Sequence, residues 1–319
     1  MKAAVYDEFG PPEVLRYADV PDPQIGPDDV LIDVKAISIE GGDLINRRTV
    51  QPPHAGYIVG YAAAGTIVAV GAHVSGRTIG DRVTSFGVDG SHAALRRVPA
   101  NQTWLVPDGV GWAHAAALPI SFGTANHCLF KRASLKSGEA VLVQAAAGGV
   151  GLAAIQLAKR AGALVIASSS GEDRLSQLAA IGADHCIDHR AENVAEKVLE
   201  YTGGKGVDVV IDPVGSTLPT SLQLLAPEGR LVFVGNAGGG SLTVDLWSAM
   251  QANQSLYGVF MGTQFADPTV FSTVDDMLRD VAEGGIEVTV DRSFALEDTA
   301  DAHRHAEQGK PFGRVILRP

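Results

Sequence analysis

The sequence contains little cysteine. Cys128 and Cys186 are the only two cysteines among 319 residues, and they do not form a Cys-x-x-Cys pair. Two thiols at this spacing cannot build a disulfide framework, so the class of small secreted proteins that depends on one is excluded. A structural zinc loop made of four cysteines is excluded by the same count. We therefore expect two reduced thiols in a chain that folds around a hydrophobic core.

Basic clusters and long apolar runs are also missing. The 25 Lys and Arg residues are outnumbered by 36 Asp and Glu, which gives a formal net charge of -11. A surface that binds nucleic acid needs clustered basic residues, and we expect no such partner. No apolar run approaches the ~18 residues of a membrane span, and the first residues do not resemble a signal peptide. These absences predict a soluble, cytoplasmic protein.

The 46% of hydrophobic residues and the length of the chain predict two domains. Residues 1 to about 118 contain short β-type runs separated by turn residues, namely Lys2–Tyr6, Val30–Ile37, Gly65–Val70, Arg82–Ser85 and Ala93–Val98. From about Ser121 strands alternate with helices, a pattern that indicates parallel βαβ units. The final β-type run, residues 314–318, is expected to return to the first domain. We predict one domain from residues 1–120 and 263–319 and a second from residues 121–262.

A glycine-rich turn follows the predicted strand at residues 140–144. Read against G-x-G-x-x-G, the turn places Ala146, Gly148 and Gly151 at the three small positions. The first allows a tight turn, the second lets backbone amides approach a pyrophosphate, and the third lets the helix pack closely on the strand. The motif lies between a strand and a helix, as a dinucleotide site requires. The predicted cofactor-binding residues of this turn are Ala146, Ala147, Gly148, Gly149, Val150 and Gly151.

The end of the next strand indicates the type of dinucleotide. NAD enzymes usually carry Asp or Glu there, which binds the ribose 2′-hydroxyl. This chain instead has serines at 168–170, and Ser169, Ser170 and Arg174 are expected to bind the 2′-phosphate of NADPH. His189 is expected to lie near the adenine. Arg174 and His189 have a simpler interpretation as solvated surface residues, and the adjacent Glu172 and Asp173 add negative charge.

Several segments together resemble the zinc-independent quinone oxidoreductases, the zeta-crystallin-like family of the medium-chain dehydrogenases/reductases. They include MKAAVYDEFGPPEVL at the start, AISIEGGDLINR, GYAAAGTIVAVGAHVSGRTIGDRV, AAALPISFGTANHCL, AAAGGVGLAAIQLAK, VDVVIDPVGS and GRLVFVGNAGG. The resemblance implies an α/β fold, in which a doubly wound Rossmann sheet is joined to a GroES-like β-barrel domain formed by both chain ends. It also implies an oxidoreductase, with a homodimer as an open possibility.

Some individual residues match the family's pattern and others depart from it. Asp43 and Arg47 match residues of the family's active-site loop, whereas Glu40 stands where the family usually has Asn. Thr124 matches a threonine near the nicotinamide. Asn236, Phe260 and Met261 lie in segments that match those closing over the nicotinamide side. Glu40 and Arg47 are expected to bind substrate and Asp43 and Thr124 to act in catalysis. The alternative interpretation of Asp43 and Arg47 is an ion pair that stabilises the loop.

Zinc-dependent relatives need a His-Glu pair after a glycine, and this chain has Tyr61 and Ala62 there. Cysteine or histidine ligands are what hold zinc tetrahedrally, and we expect no metal. His303 and His305 lie in a segment predicted to be helical, where side chains two residues apart diverge, and we expect both at the surface.

Tyr61 and Tyr57 are the predicted hydrogen-bond donors to substrate, Tyr61 as a catalytic residue and Tyr57 as a binding residue. Both could instead pack the loop before Gly65. The sequence predicts an NADPH-dependent, zinc-independent reductase of quinones or α,β-unsaturated carbonyls. An enoyl-thioester or alkenal reductase and a non-catalytic NADPH-binding protein, crystallin-like or regulatory, are the alternatives.

Overall fold

The computed structural model describes residues 1–265 and 267–319. These residues form two compact units, one made of Met1–Gly123 with Gly262–Pro319 and the other of Thr124–Met261. Within the described ranges, the helices are all too short or too polar to cross a membrane.

The strands, in chain order, are β1 (Lys2–Val5), β2 (Arg16–Asp19), β3 (Asp29–Ser38), β4 (Ala62–Val70), β5 (Arg82–Phe86), β6 (Leu95–Pro99), β7 (Thr103–Leu105), β8 (Ala140–Val143), β9 (Leu164–Ser169), β10 (His185–Asp188), β11 (Val207–Asp212), β12 (Leu225–Phe233), β13 (Ser255–Gly258), β14 (Val290–Ala295) and β15 (Arg314–Arg318). The helices are α1 (Gly41–Thr49), α2 (Trp112–Asn126), α3 (Gly149–Arg160), α4 (Glu172–Ala180), α5 (Val194–Tyr201), α6 (Leu218–Gln223), α7 (Trp247–Gln251), α8 (Pro268–Ala282) and α9 (Thr299–Gln308). Short 3-10 turns occur at Pro12–Val14, Ala100–Gln102, Met261–Thr263 and Leu296–Asp298, and a π-helical turn at His127–Arg132.

The first unit is built on a mainly antiparallel sheet. Its strand order is β14-β15-β3-β4-β5-β7, with β6 also paired to β3. β15 runs antiparallel to β3 and places Ile316 opposite Ser38, so the end of the chain completes a sheet begun near its start. Alternate residues of β3, among them Val30, Ile32 and Val34, are buried, as expected for strands with one face on a core.

The second unit contains a parallel sheet with the order β10-β9-β8-β11-β12-β13. The order reverses between β8 and β11, which is the point of a doubly wound sheet where ligands bind beyond the carboxyl ends of the strands. β8 and β11 are almost entirely buried, since helices cover parallel sheets on both faces. This topology confirms the predicted Rossmann arrangement.

Two helices, α1 and α2, begin in the part of the chain where the sequence analysis found only short β-type runs separated by turn residues. α1 begins within the segment interpreted as a loop, because the Asp43 carboxylate accepts a hydrogen bond from the backbone N–H of Glu40 and caps the first turn. α2 continues through Pro119, a residue that usually ends a helix. α9 was correctly predicted as a helix, but the expectation that His303 lies at the surface was wrong. His303 shares the buried face of α9 with Thr299 and Ala302.

Candidate active site

The glycine-rich turn joins β8 to α3 in a compact loop. The backbone N–H of Ala146 donates to the Ser168 carbonyl at 2.9 Å, and the N–H of Gly148 donates to the Ala145 carbonyl at 3.0 Å. Ala145 has a φ of 47°, a left-handed conformation that a small side chain tolerates better than a large one. Ala146 and Ala147 are buried beneath the turn, whereas Gly148 is exposed.

The first turn of α3 is shaped for an anion. Gly148 is the residue before the helix, and the backbone N–H groups of Gly149, Val150 and Gly151 occupy the first turn, where helical partners are lacking. A Cβ atom on Gly151 would lie 2.6 Å from the backbone of Ala146, so only glycine permits this close packing. The positive end of the helix dipole and these amides suit a pyrophosphate.

The end of β9 collects the residues predicted to select NADPH. Arg174 donates from Nη2 to the Ser170 hydroxyl at 2.8 Å. The backbone N–H of His189 donates to the Ser169 carbonyl at 3.0 Å, which places the end of β10 beside that of β9. Ser169, Ser170, Arg174 and His189 are thus brought together. The Asp188 carboxylate lies close by and accepts from the N–H of Gly171, a contact that the sequence did not reveal.

The residues predicted for the nicotinamide side follow the next strands of the same sheet. Asn236 lies after β12 and donates from Nδ2 to the Gly240 carbonyl at 3.0 Å. Its Oδ1 atom is buried and accepts no hydrogen bond from the described residues, which leaves an acceptor for a ligand. Phe260 and Met261 follow β13, where Phe260 is 65% exposed and Met261 is buried.

Thr124 lies within α2 at the start of the second unit and is also buried. Asp43, Tyr61 and the other predicted substrate residues belong to the first unit.

In the first unit, the amino end of α1 holds two buried carboxyl groups. Glu40 and Asp43 are 1% and 0% exposed. The Ser38 hydroxyl donates to Glu40 Oε1 at 2.7 Å, and Arg314 forms an ion pair with Glu40 Oε2. Burial, opposed in part by Arg314, raises the pKa of Glu40, and burial raises the pKa of Asp43 to about 8.

Arg47 lies on the buried face of α1 and contacts other parts of its own unit. Its Nη1 atom donates to the Gly10 carbonyl at 3.0 Å, and Nη2 pairs with Glu307. Arg47 therefore pairs with Glu307 rather than with Asp43. Its predicted role in substrate binding stays a prediction.

The two predicted tyrosine donors differ in how their hydroxyls are used. Tyr57 donates to the Asp89 carboxylate at 3.2 Å, and burial raises its pKa. Tyr61 instead accepts a hydrogen bond from Asn46 Nδ2 at 2.8 Å, and its ring lies against Gly42 of α1. Burial and the nearby Asp43 carboxyl raise the pKa of Tyr61, so its hydroxyl keeps its hydrogen at neutral pH.

Three residues that the sequence analysis did not name lie beside Glu40, Asp43 and Tyr61. Arg314, Asn46 and Arg96 reach them from β15, α1 and β6, and Arg96 donates to the Tyr61 carbonyl at 2.8 Å. Among the described residues, His, Cys, Asp and Glu form no group of three or more arranged to hold a metal ion. Asn46 lies three residues after Asp43, a helical spacing that would have drawn attention had α1 been predicted.

Comparisons with known proteins agree with this geometry. The alcohol dehydrogenase GroES-like domain family matches residues 26–108, and the zinc-binding dehydrogenase family matches residues 149–283. The quinone oxidoreductase of Pseudomonas aeruginosa is 35% identical over 324 residues, with 100% of this chain and 99% of that protein covered. The chain belongs to the quinone oxidoreductase family. This confirms the predicted family, the GroES-like and Rossmann folds, and the assignment as an oxidoreductase.

Two solved structures show how this quinone oxidoreductase fold is used with different nucleotides. The Escherichia coli quinone oxidoreductase complexed with NADPH superposes with a TM-score of 0.94 at 28% identity, and both chains are covered completely. An NAD-dependent alcohol dehydrogenase superposes with a TM-score of 0.91 at 29% identity, again over both whole chains. The fold therefore fits a nicotinamide dinucleotide.

Proposed function

We propose that this chain reduces quinones or α,β-unsaturated carbonyls with NADPH and needs no zinc ion to do so. The main support for the proposal is the contact at the end of β9, where Arg174 donates to the Ser170 hydroxyl and NAD enzymes usually have a carboxylate. A serine hydroxyl and a guanidinium bind a phosphate well, whereas a carboxylate would repel it.

The residues that would hold the cofactor all follow the carboxyl ends of the parallel strands. The amides at Gly149–Gly151 would bind the pyrophosphate, and Ser169, Ser170 and Arg174 would bind the 2′-phosphate. His189 would lie beside the adenine, with Asn236, Phe260 and Met261 on the nicotinamide side. Bound there, NADPH supplies the hydride that reduces the substrate.

Tyr61 is the group that we assign to the substrate oxygen. Asn46 donates to a lone pair of the Tyr61 oxygen, which fixes the hydroxyl and leaves its own hydrogen available to donate. The Tyr57 hydrogen is already committed to Asp89. A preorganised donor of this kind stabilises the negative charge that develops on a carbonyl oxygen as it is reduced.

One hydroxyl donor is enough only for some substrates. Reduction of a saturated ketone places full negative charge on one oxygen, and dehydrogenases of this superfamily meet that need with zinc as a Lewis acid. In a quinone or enone the incoming electrons delocalise through the conjugated system, and less stabilisation is required. This difference favours conjugated acceptors.

A panel of acceptors at fixed NADPH tests the proposal. Quinones and enones should give much higher kcat/KM than saturated ketones and alcohols. The Tyr61→Phe variant should lose about 100-fold in kcat, as for removal of one oxyanion donor. The Tyr17→Phe variant, which alters an exposed tyrosine on β2, is the matched control and should keep its activity.

Other results of the same panel would contradict the proposal. A saturated ketone or alcohol with the highest kcat/KM would overturn the reaction class. Enoyl thioesters preferred over every quinone would favour the enoyl-thioester reductase. Tight NADPH binding without turnover of any acceptor would indicate a non-catalytic binding protein.

A further inference from the structure

The two buried carboxyls at the start of α1 have different surroundings. Glu40 has a hydroxyl donor in Ser38 and a cation in Arg314, whose Nε donates in turn to the Ser121 hydroxyl at 2.8 Å. Asp43 accepts from the backbone N–H of Glu40 at 2.9 Å through Oδ2. Its Oδ1 atom is buried and has no hydrogen-bond partner within the described ranges. The arginine therefore compensates the charge of Glu40 and does not pair with Asp43.

Two carboxylates one helical turn apart in a buried site repel each other, and one of them keeps its proton. The contacts decide which one. Burial raises the pKa of Glu40, but Arg314 and the Ser38 hydroxyl oppose it and favour the carboxylate. Asp43, in contrast, has no cation paired with it among the described residues and is the group that keeps the proton. Burial and the charge of Glu40 raise the pKa of Asp43, while Arg314 and Arg96 oppose them and the pKa remains at about 8.

The protonation state of Asp43 acts on Tyr61. A negative charge on Asp43 raises the pKa of Tyr61 and makes its hydroxyl a weaker hydrogen-bond donor. A neutral Asp43 removes that effect. Burial raises the pKa of Tyr6, and the charge of Asp43 raises it further. The charge of Arg47, on the last turn of α1, is compensated by its ion pair with Glu307. The charged and titratable groups around Asp43 are thus Glu40, Arg314, Arg96, Tyr61 and Tyr6.

We propose that Glu40 is a positioning residue that keeps Asp43 in its neutral form, that Arg314 holds Glu40 as the carboxylate, and that the reductase is active while Asp43 is neutral. The proposal rests on the proposed role of Tyr61 as donor to the substrate. Glu40 then acts through Asp43 rather than by contact with substrate, which explains how a second carboxyl is accommodated at a position where the family usually has Asn.

The pH dependence of kcat/KM with a quinone tests this, measured from about pH 6 to about pH 10 at saturating NADPH. The wild-type rate should fall as pH rises through about 8. Glu40→Gln removes a negative neighbour of Asp43 and leaves Arg314 unpaired, so the pH at which the rate falls should be lower by at least about one unit. Arg314→Gln removes the cation beside the two carboxyls, so the proton that they retain should be lost at higher pH. The rate should then fall at higher pH than in the wild type.

Three further variants separate this role from a structural one. Arg314→Lys keeps the charge and should restore a nearly wild-type profile. Asp43→Asn cannot ionise and should abolish the fall. Arg318→Gln, at the exposed end of the same strand, is the control and should match the wild type. Two results would overturn the proposal. One is a lower rate in Glu40→Gln and Arg314→Gln with an unchanged midpoint of the pH profile, and the other is a shift of that midpoint in the same direction in both variants.

A second measurement does not depend on turnover or on the folding of the Glu40 variants. Infrared difference spectra of the wild type against Asp43→Asn should show a protonated carboxyl band that disappears as pH rises through about 8. Its absence at neutral pH would overturn the proposal even if quinones are reduced. A band that titrates as expected in a protein without quinone turnover would support the neutral Asp43 and contradict only the proposed function.

Discussion

The Nε2 atoms of His92 and His303 lie 3.0 Å apart, although 211 residues separate the two in the chain. Both side chains are completely buried, and the Ser91 hydroxyl lies 3.1 Å from Nδ1 of His92. A hydrogen bond between two imidazoles needs one donor and one acceptor. At least one ring is therefore neutral, and burial, which lowers the pKa of His92 to about 3 and that of His303 well below its ordinary value, keeps both rings neutral at neutral pH.

This pair predicts a non-additive effect on stability. His92→Leu or His303→Leu alone leaves the other imidazole buried without its partner, which should lower the free energy of unfolding by about 1–3 kcal/mol. The double variant removes both polar groups and should cost clearly less than the sum of the single variants. Urea unfolding at neutral pH measures all three. Additive losses would mean that the two rings do not interact.

The buried Asp43 carboxyl predicts that the free energy of unfolding falls as pH rises from about 4 to about 8. Its pKa rises from an ordinary 3.8 to about 8 on folding, so its contribution is complete below pH 4 and is lost as pH rises through about 8. Between about pH 6 and pH 8 the free energy of unfolding should fall by about 2 kcal/mol through this group. Asp43→Asn should lack that dependence, whereas Asp28→Asn at the exposed surface should retain it. Parallel curves for all three proteins would contradict the prediction.

The contact between Arg174 and Ser170 predicts a preference for NADPH over NADH. Arg174→Ala removes a charge-assisted contact to the 2′-phosphate and should weaken NADPH binding by about 10- to 100-fold. NADH binding should barely change, because NADH carries no phosphate at that position. Arg160→Ala, at the far end of α3, is the matched control. Calorimetric titration with both nucleotides measures the effect, and equal losses for the two would show that Arg174 does not select the phosphate.

The residues Tyr61 and Ala62, at the position of the zinc-binding pair of related dehydrogenases, predict a purified protein without stoichiometric zinc. Quinone reduction should survive treatment with a chelator. Elemental analysis and activity before and after the chelator measure both properties. About one zinc ion per chain, together with activity that the chelator removes, would be the contrary result.

Much of the fold could be predicted from local patterns. The run at 314–318 forms β15 over the residues expected, and the strand predicted at 140–144 forms β8, because continuous apolar and β-branched residues favour buried strands. The glycine motif was placed correctly between β8 and α3. α1 and α2 were not predicted, since the turn-like Gly41–Gly42 and the internal Pro119 are local signals against a helix that tertiary packing overrides.

The sequence by itself determined the family, the two kinds of domain and the loop that suits a dinucleotide, because these depend on short-range periodicity and on small residues at fixed spacings. The tertiary structure alone decided which polar side chains meet. Arg314 reaches Glu40 because β15 pairs with β3, and His303 reaches His92 because one face of α9 is buried. Such contacts join distant parts of the chain, and the charge state of each group depends on the burial and the partner that only folding provides.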